Sequence, residues 1–160
     1  MRLKDCHGFS DFRELARRRL PSPIFNYIDG AADDETTYDR NTKSFEECDL
    51  IPNVLRGVEN IDMSVTIMGQ KLDMPIYCSP TALQRVFHHS GEHAVAAAAD
   101  KFGTMFGVSS LGTVSLTEVR EQYNGPQCYQ FYFHKDRGLN QVMLENAKAA
   151  GVDVMMLTVD

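Results

Sequence analysis

Four short apolar runs recur at near-constant spacing in the second part of the chain, and no other feature constrains the fold as much. They lie near 75–79, 104–109, 127–132 and 154–159. Between them stand segments of helical composition, at about 91–102, 115–123 and 137–150. Strand–helix alternation of this kind predicts parallel βα units, because parallel strands need a crossover and a helix supplies it. Gly91-Glu92 opens the first predicted helix, and Ala94 with Ala96 to Ala99 gives it high helix propensity and a flat packing surface. Ser115 and Glu118 stand in capping-box spacing at the start of the second. Ala149-Ala150-Gly151 ends the third in a glycine cap.

About 70 residues of helix and loop precede this rhythm. Ser10 to Leu20 has helical spacing, with Ser10 as N-cap and Arg17-Arg18-Arg19 in the last turn, where cations suit the helix dipole. Pro21 and Pro23 stop it. Pro23 opens a short helix that Gly30 ends, and Asp33-Asp34-Glu35 opens another that runs to about Cys48. From Ile51 the pattern is irregular. Ser64 to Met68 then alternates as a strand, turned by Gly69-Gln70-Lys71, in the manner of a hairpin closing the bottom of a barrel. A complete (β/α)8 barrel takes roughly 250 residues. A chain of 160 has room for half of one. The expectation is therefore either a short open α/β fold or the N-terminal part of a longer protein. Leu157-Thr158-Val159-Asp160 stops inside a strand-like run.

Composition removes several functions. The net charge of −6 argues against a nucleic-acid partner, which needs a basic face. None of the four cysteines forms a C-x-x-C pair, so zinc ribbons and thioredoxin-like chemistry are not expected, and free thiols fit a reducing compartment. The N-terminus has no apolar signal region, and no run of about 18 apolar residues is present. A cytoplasmic protein is expected, with Arg17-Arg18-Arg19 as a possible peripheral contact with the inner face of a membrane. Neither a G-x-G-x-x-G nor a P-loop motif occurs.

In parallel α/β proteins ligands meet the C-terminal ends of the strands. The first run, Pro75 to Ser79, reads as a strand buried on both faces that ends at Pro80, leaving Thr81 and Ala82 to offer small side chains and backbone amides. The second ends in Ser109 and Ser110, the third in Gln130 and Tyr132, and the fourth in Thr158 and Asp160. Alternation puts Gln130 and Tyr132 on one side of their strand, and Thr158 and Asp160 on one side of theirs. Hydroxyls, an amide, a phenol and one carboxylate match the polar edge of a planar heterocycle. They make no metal site. His88, His89 and His93 follow the first strand without a supporting carboxylate pair and are read as solvated loop histidines.

These residues resemble the N-terminal half of the FMN-dependent 2-hydroxyacid dehydrogenases and oxidases, a family that includes L-lactate dehydrogenases and glycolate oxidases. The resemblance runs from about Asp11 to Asp160. It is carried by Phe25-Asn26-Tyr27-Ile28-Asp29-Gly30-Ala31, Pro75-Ile76 to Pro80-Thr81, Gly91-Glu92, Ser109-Ser110, Gln130-Phe131-Tyr132, Asp136-Arg137 and Leu157-Thr158-Val159-Asp160. It implies the first four strands of a (β/α)8 barrel, behind an N-terminal helical segment (1–70 as cap and barrel bottom, 71–160 as βα units). It implies FMN at the C-terminal mouth. The backbone of Pro80, Thr81 and Ala82 is then expected beside the flavin ring, with Ser109, Gln130 and Thr158 at its polar edge. Tyr27 and Tyr132 are expected as substrate-side hydroxyls, and Asp160 as the carboxylate that stabilises the protonated catalytic base.

The implied reaction oxidises an L-2-hydroxy acid to the 2-oxo acid. Leu111, where some glycolate oxidases carry Trp, leans the expected substrate towards lactate. The electron acceptor (oxygen, a quinone or a cytochrome) stays open, and a homo-oligomer is expected for the intact protein. Asn53 and the run Gln84-Arg85-Val86-Phe87 depart from the family pattern. The family's base histidine, substrate arginines, flavin-contacting lysine and phosphate site follow strand four, beyond Asp160. The 160 residues alone are therefore expected to be inactive and to hold FMN weakly. The alternative is a non-catalytic half-barrel that assembles with a partner chain.

Overall fold

The computed structural model describes residues 2–159, and the chain divides between Glu59 and Asn60 into two compact units. The first is helical. Helix α1 (Phe9–Arg19) is capped by Gly8, not by the expected Ser10. The reason is Asp11, whose carboxylate takes the backbone N–H groups of His7 at 2.9 Å and Gly8 at 3.1 Å and so starts the helix earlier. Helix α2 (Ser22–Asp29) follows, with Pro23 in its first turn, and α3 (Thr36–Glu46) begins after Glu35. Arg13 on α1 grips Asp29 on α2 through two hydrogen bonds, of 2.5 and 2.9 Å, which hold the Asp29 carboxyl below the usual carboxylate range. Within this unit only Leu15 is a buried apolar side chain among the described residues.

The second unit opens with an antiparallel hairpin, β1 (Val65–Ile67) and β2 (Gln70–Leu72). Its two-residue turn is Met68-Gly69, both at positive φ (51° and 78°), as a type I′ hairpin turn requires. Gln70 and Lys71, expected in the turn, are strand residues. The single helical turn α4 (Gln84–Phe87), which the sequence pattern did not announce, comes next, followed by α5 (Glu92–Lys101). Then come β3 (Phe106–Ser109), α6 (Leu116–Gln122), β4 (Gln127–Tyr132), α7 (Arg137–Ala149) and β5 (Val154–Thr158). The three strands form one parallel sheet in the order β3-β4-β5.

The expected first strand at 75–79 is reduced to a single parallel bridge, Cys78 to Phe106. Cys78 N–H donates to Met105 O at 3.0 Å, and Gly107 N–H donates to Cys78 O at 2.7 Å. Pro80, which would be the next donor to β3, lacks an N–H, and upstream Ile76 O is taken by Thr104 Oγ1, so the ladder does not extend. Nor is it buried on both faces, since Ile76 is 67% exposed. What the sequence read as four strands is thus three strands and a bridge, an open sheet among the described residues.

The sheet has two distinct faces. Phe106, Val108 and Val119 pack with Ala96, Ala99 and Tyr123 on the helix side, and Tyr129 and Phe131 pack with Ala147. The small alanines let α5 approach the sheet closely, as their run in the sequence predicts. On the other face Met105, Cys128 and Val154 pack with Leu72 of the hairpin, which is fully buried. The hairpin therefore covers the N-terminal end of this face. The predicted capping box is present: Ser115 Oγ accepts from Glu118 N–H at 3.2 Å, and the Glu118 carboxylate takes Ser115 N–H at 3.1 Å. Below the strands Arg120 donates to Ala150 O, Gly125 O, Gly151 O and Asp153 Oδ2, at 3.2, 3.0, 2.6 and 3.1 Å, binding the end of α7 to the start of β4. No helix among the described residues is long and apolar enough to cross a membrane.

Candidate functional site

Register builds the site. Ser109 lies opposite Gln130, and Tyr132 opposite Thr158. Alternation puts Ser109, Gln130, Tyr132 and Thr158 on the face whose other end is covered by the hairpin. At its C-terminal end the apolar side chains give way to a polar row. Gln130, only 6% exposed, is the hub. Its Oε1 accepts from Ser109 Oγ at 3.2 Å, Ser110 Oγ at 3.3 Å and Ser110 N–H at 3.3 Å. Its Nε2 donates to Thr158 Oγ1 at 2.7 Å. These bonds fix which end of the amide is oxygen and leave the second hydrogen of Nε2 for a ligand.

The bridge segment contributes the neighbouring wall. Gly107 makes its closeness possible: a Cβ there would stand 2.7 Å from Pro80 Cδ and 2.8 Å from Pro80 N. Thr81 Oγ1 accepts from Gln84 Nε2 at 2.8 Å, which turns the chain into α4. The backbone N–H groups of Thr81 and Ala82 have no protein acceptor among the described residues. Two amides here, with the Ser109–Gln130–Thr158 row beside them, form a neutral surface of mixed donors and acceptors. Such a surface suits the alternating carbonyl and N–H groups of a flavin's pyrimidine edge better than an anion, which would call for a cation.

Tyr132 is half-buried on the same face. Tyr27 stands on α2 of the first unit, where it is 65% exposed. Asp160 lies outside the described residues. No cluster of His, Cys, Asp and Glu among the described residues could hold a metal ion. Burial pushes the thiols of Cys78 and Cys128 up, which makes them poor nucleophiles. A cleft of about 500 Å³ lined by Val108, Tyr129, Leu116 and Met143 opens on the helix side, behind the polar row. Sequence reasoning passed over Gly107, read Glu92 only as a helix start and a family motif residue, and named Ser110 without giving it a role. The one available signal for Ser110 is its position next to Ser109 at a strand end.

A family model for FMN-dependent dehydrogenases matches residues 16–160. The chain belongs to this family. An L-lactate dehydrogenase of Xanthobacter autotrophicus is 40% identical over 151 residues, covering 94% of this chain and 39% of that protein. Glycolate oxidase of Spinacia oleracea is 36% identical over 151 residues, covering 94% of this chain and 41% of its own length. The chain thus spans about two fifths of the length of the curated relatives it matches. Among solved structures, a mandelate oxidase superposes with a TM-score of 0.85 at 31% identity, covering 94% of this chain and 45% of that one. A protein described as a lactate oxidase of Pediococcus acidilactici superposes with a TM-score of 0.89 at 30% identity, covering 98% and 44%. These neighbours are TIM-barrel oxidases, and the partial sheet of this chain agrees with its covering less than half of each.

Proposed function

We propose that these residues form the flavin-ring side of an enzyme that oxidises an L-2-hydroxy acid, lactate foremost, to the 2-oxo acid. The observation that carries the reading is the hydrogen-bonded row of Ser109, Gln130 and Thr158 across three adjacent parallel strands. In this reading the backbone at Pro80, Thr81 and Ala82 flanks the ring, and the row holds its pyrimidine edge. FMN, when bound, supplies the two-electron acceptor that no amino-acid side chain offers. The chain's own residues bind and orient. Gln130 and Thr158 fix the ring's polar edge, Tyr132 and Tyr27 offer hydroxyls to the substrate's carboxylate or 2-oxygen, and Asp160 favours the protonated form of a base that removes the hydroxyl proton. Leu111, in the loop after β3, stands where some glycolate oxidases carry Trp, and this leans the reading towards lactate.

The test is anaerobic mixing of the intact flavoprotein with L-lactate, glycolate and L-mandelate. Bleaching of the flavin band by L-lactate at the lowest concentration supports the reading, and no bleaching by any 2-hydroxy acid contradicts it. Residues 1–160 expressed alone are expected to show no such bleaching. A second reading rests on β5, whose Met155 and Leu157 are 47% and 55% exposed. A non-catalytic half-barrel would use that face to assemble with a partner chain. Size-exclusion chromatography giving a stable monomer of residues 1–160 counts against it.

A further inference from the structure

Glu92 is fully buried, and among the described residues no ion pair involves it. A buried carboxyl without a cation is expensive unless hydrogen bonds satisfy it, and an apolar residue would pack there without that penalty. Both of its oxygens are spent on one residue. Oε1 accepts from Thr113 N–H at 2.7 Å, and Oε2 accepts from Thr113 Oγ1 at 2.5 Å. Thr113 Oγ1 in turn accepts from Arg85 N–H at 3.2 Å. Thr113 therefore joins three segments: the start of α5, the turn α4 and the loop after β3.

Those segments lead directly to the polar surface. Gln84 on α4 holds Thr81, Leu83 N–H donates to Leu111 O at 3.1 Å, and Gly112 N–H donates to Ser109 O at 3.0 Å. Gly91 lets the chain pass close beneath. It has a φ of +48°, and a Cβ there would stand 2.6 Å from Arg85 Cγ and 3.4 Å from Thr113 Oγ1.

We propose that Glu92 and Thr113 are positioning residues that fix the spacing between the Thr81-Ala82 wall and the Ser109 loop, and so the width of the slot that receives the flavin ring. This rests on the flavin reading above. Neither residue touches the ring; each acts by holding a loop that does. If the pair only stabilised the fold, its loss would lower the melting temperature and leave the bound flavin's environment alone.

The experiment compares the intact FMN-loaded protein with Thr113→Val, Thr113→Ser and Glu92→Gln. It measures the FMN dissociation constant and the visible circular dichroism of the flavin, at a temperature where far-ultraviolet spectra show every variant folded. Thr113→Val is expected to weaken FMN about tenfold, the scale of one buried hydrogen bond, and to change the visible dichroism. Thr113→Ser keeps the hydroxyl and is expected to stay within about twofold of wild type. Glu92→Gln keeps the volume and one acceptor and is expected to fall between, at about threefold. It carries the test should Thr113→Val not fold. Folded Thr113→Val and Glu92→Gln with wild-type affinity and unchanged dichroism overturn the proposal alone. A wild-type protein that takes up no FMN overturns the flavin reading, and this proposal with it.

Discussion

The two ends of one sheet face are built from opposite materials. At the N-terminal end Met105, Cys128, Val154 and Leu72 form a dry apolar cluster under the hairpin. At the C-terminal end, on the same strands, Ser109, Gln130 and Thr158 form a hydrogen-bonded row. β4 and β5 supply side chains to both ends, and the ends differ in those side chains and in the hairpin, which covers the lower one. The lower end contributes stability through buried area. The upper end gives up that burial, and Gln130 is tolerable there because both ends of its amide are paired. A face divided this way lets stability and ligand contact be altered separately.

The largest effect should come from breaking the lower end. Leu72→Ala removes a fully buried side chain and is expected to cost about 2–5 kcal/mol in urea unfolding. Next in size is the clamp beneath the strands. Arg120→Ala strips donors from three backbone carbonyls and Asp153 and should cost roughly 2–3 kcal/mol, while Arg120→Lys, which lacks the planar fork, should recover less than half.

A smaller effect is read from pH. Tyr123 is buried and its hydroxyl donates to Thr104 O. Burial, reinforced by the nearby Asp100, pushes its phenol up from 10 to about 12. A raised acid pKa in the folded state favours the neutral form. Its contribution is whole below pH 10 and is lost as pH rises towards 12, because the unfolded chain ionises first. Stability of the wild type should therefore fall across that window, and Tyr123→Phe should remove this part of the slope. The smallest contrast is in thiol reactivity. Cys48 is exposed and should label first, and Cys78 and Cys128, with thiols pushed up by burial, should label last. Mass spectrometry after brief alkylation checks the order.

Much of this division was legible in the chain. The βα rhythm, the Ser115–Glu118 box and the strand-end residues all follow from local spacing, and alternation alone placed Gln130 and Tyr132 together. The misreadings come from competition that spacing does not reveal. Pro80 looks like an ordinary strand boundary, yet it removes the next ladder donor after Cys78, while Thr104 takes Ile76 O upstream, which leaves one bridge. Ser10 is a good cap, but Asp11 reaches back to satisfy two earlier amides. Gln70 reads as turn until Met68 accepts a positive φ beside Gly69. Glu92, Gly107 and Arg120 act through partners about twenty to thirty residues away, and nothing local distinguishes them from a helix-start acid, a strand glycine and a surface cation.

The most direct test of the central claim, that the polar row holds the cofactor, is an FMN titration of Thr158→Val in the intact protein. This change removes the acceptor of the buried Gln130 Nε2 and should cost roughly 1–3 kcal/mol of apo stability, so binding is measured where the variant is folded. The expected result is FMN binding to the folded variant weakened about tenfold. Wild-type FMN affinity in a folded Thr158→Val protein would contradict it.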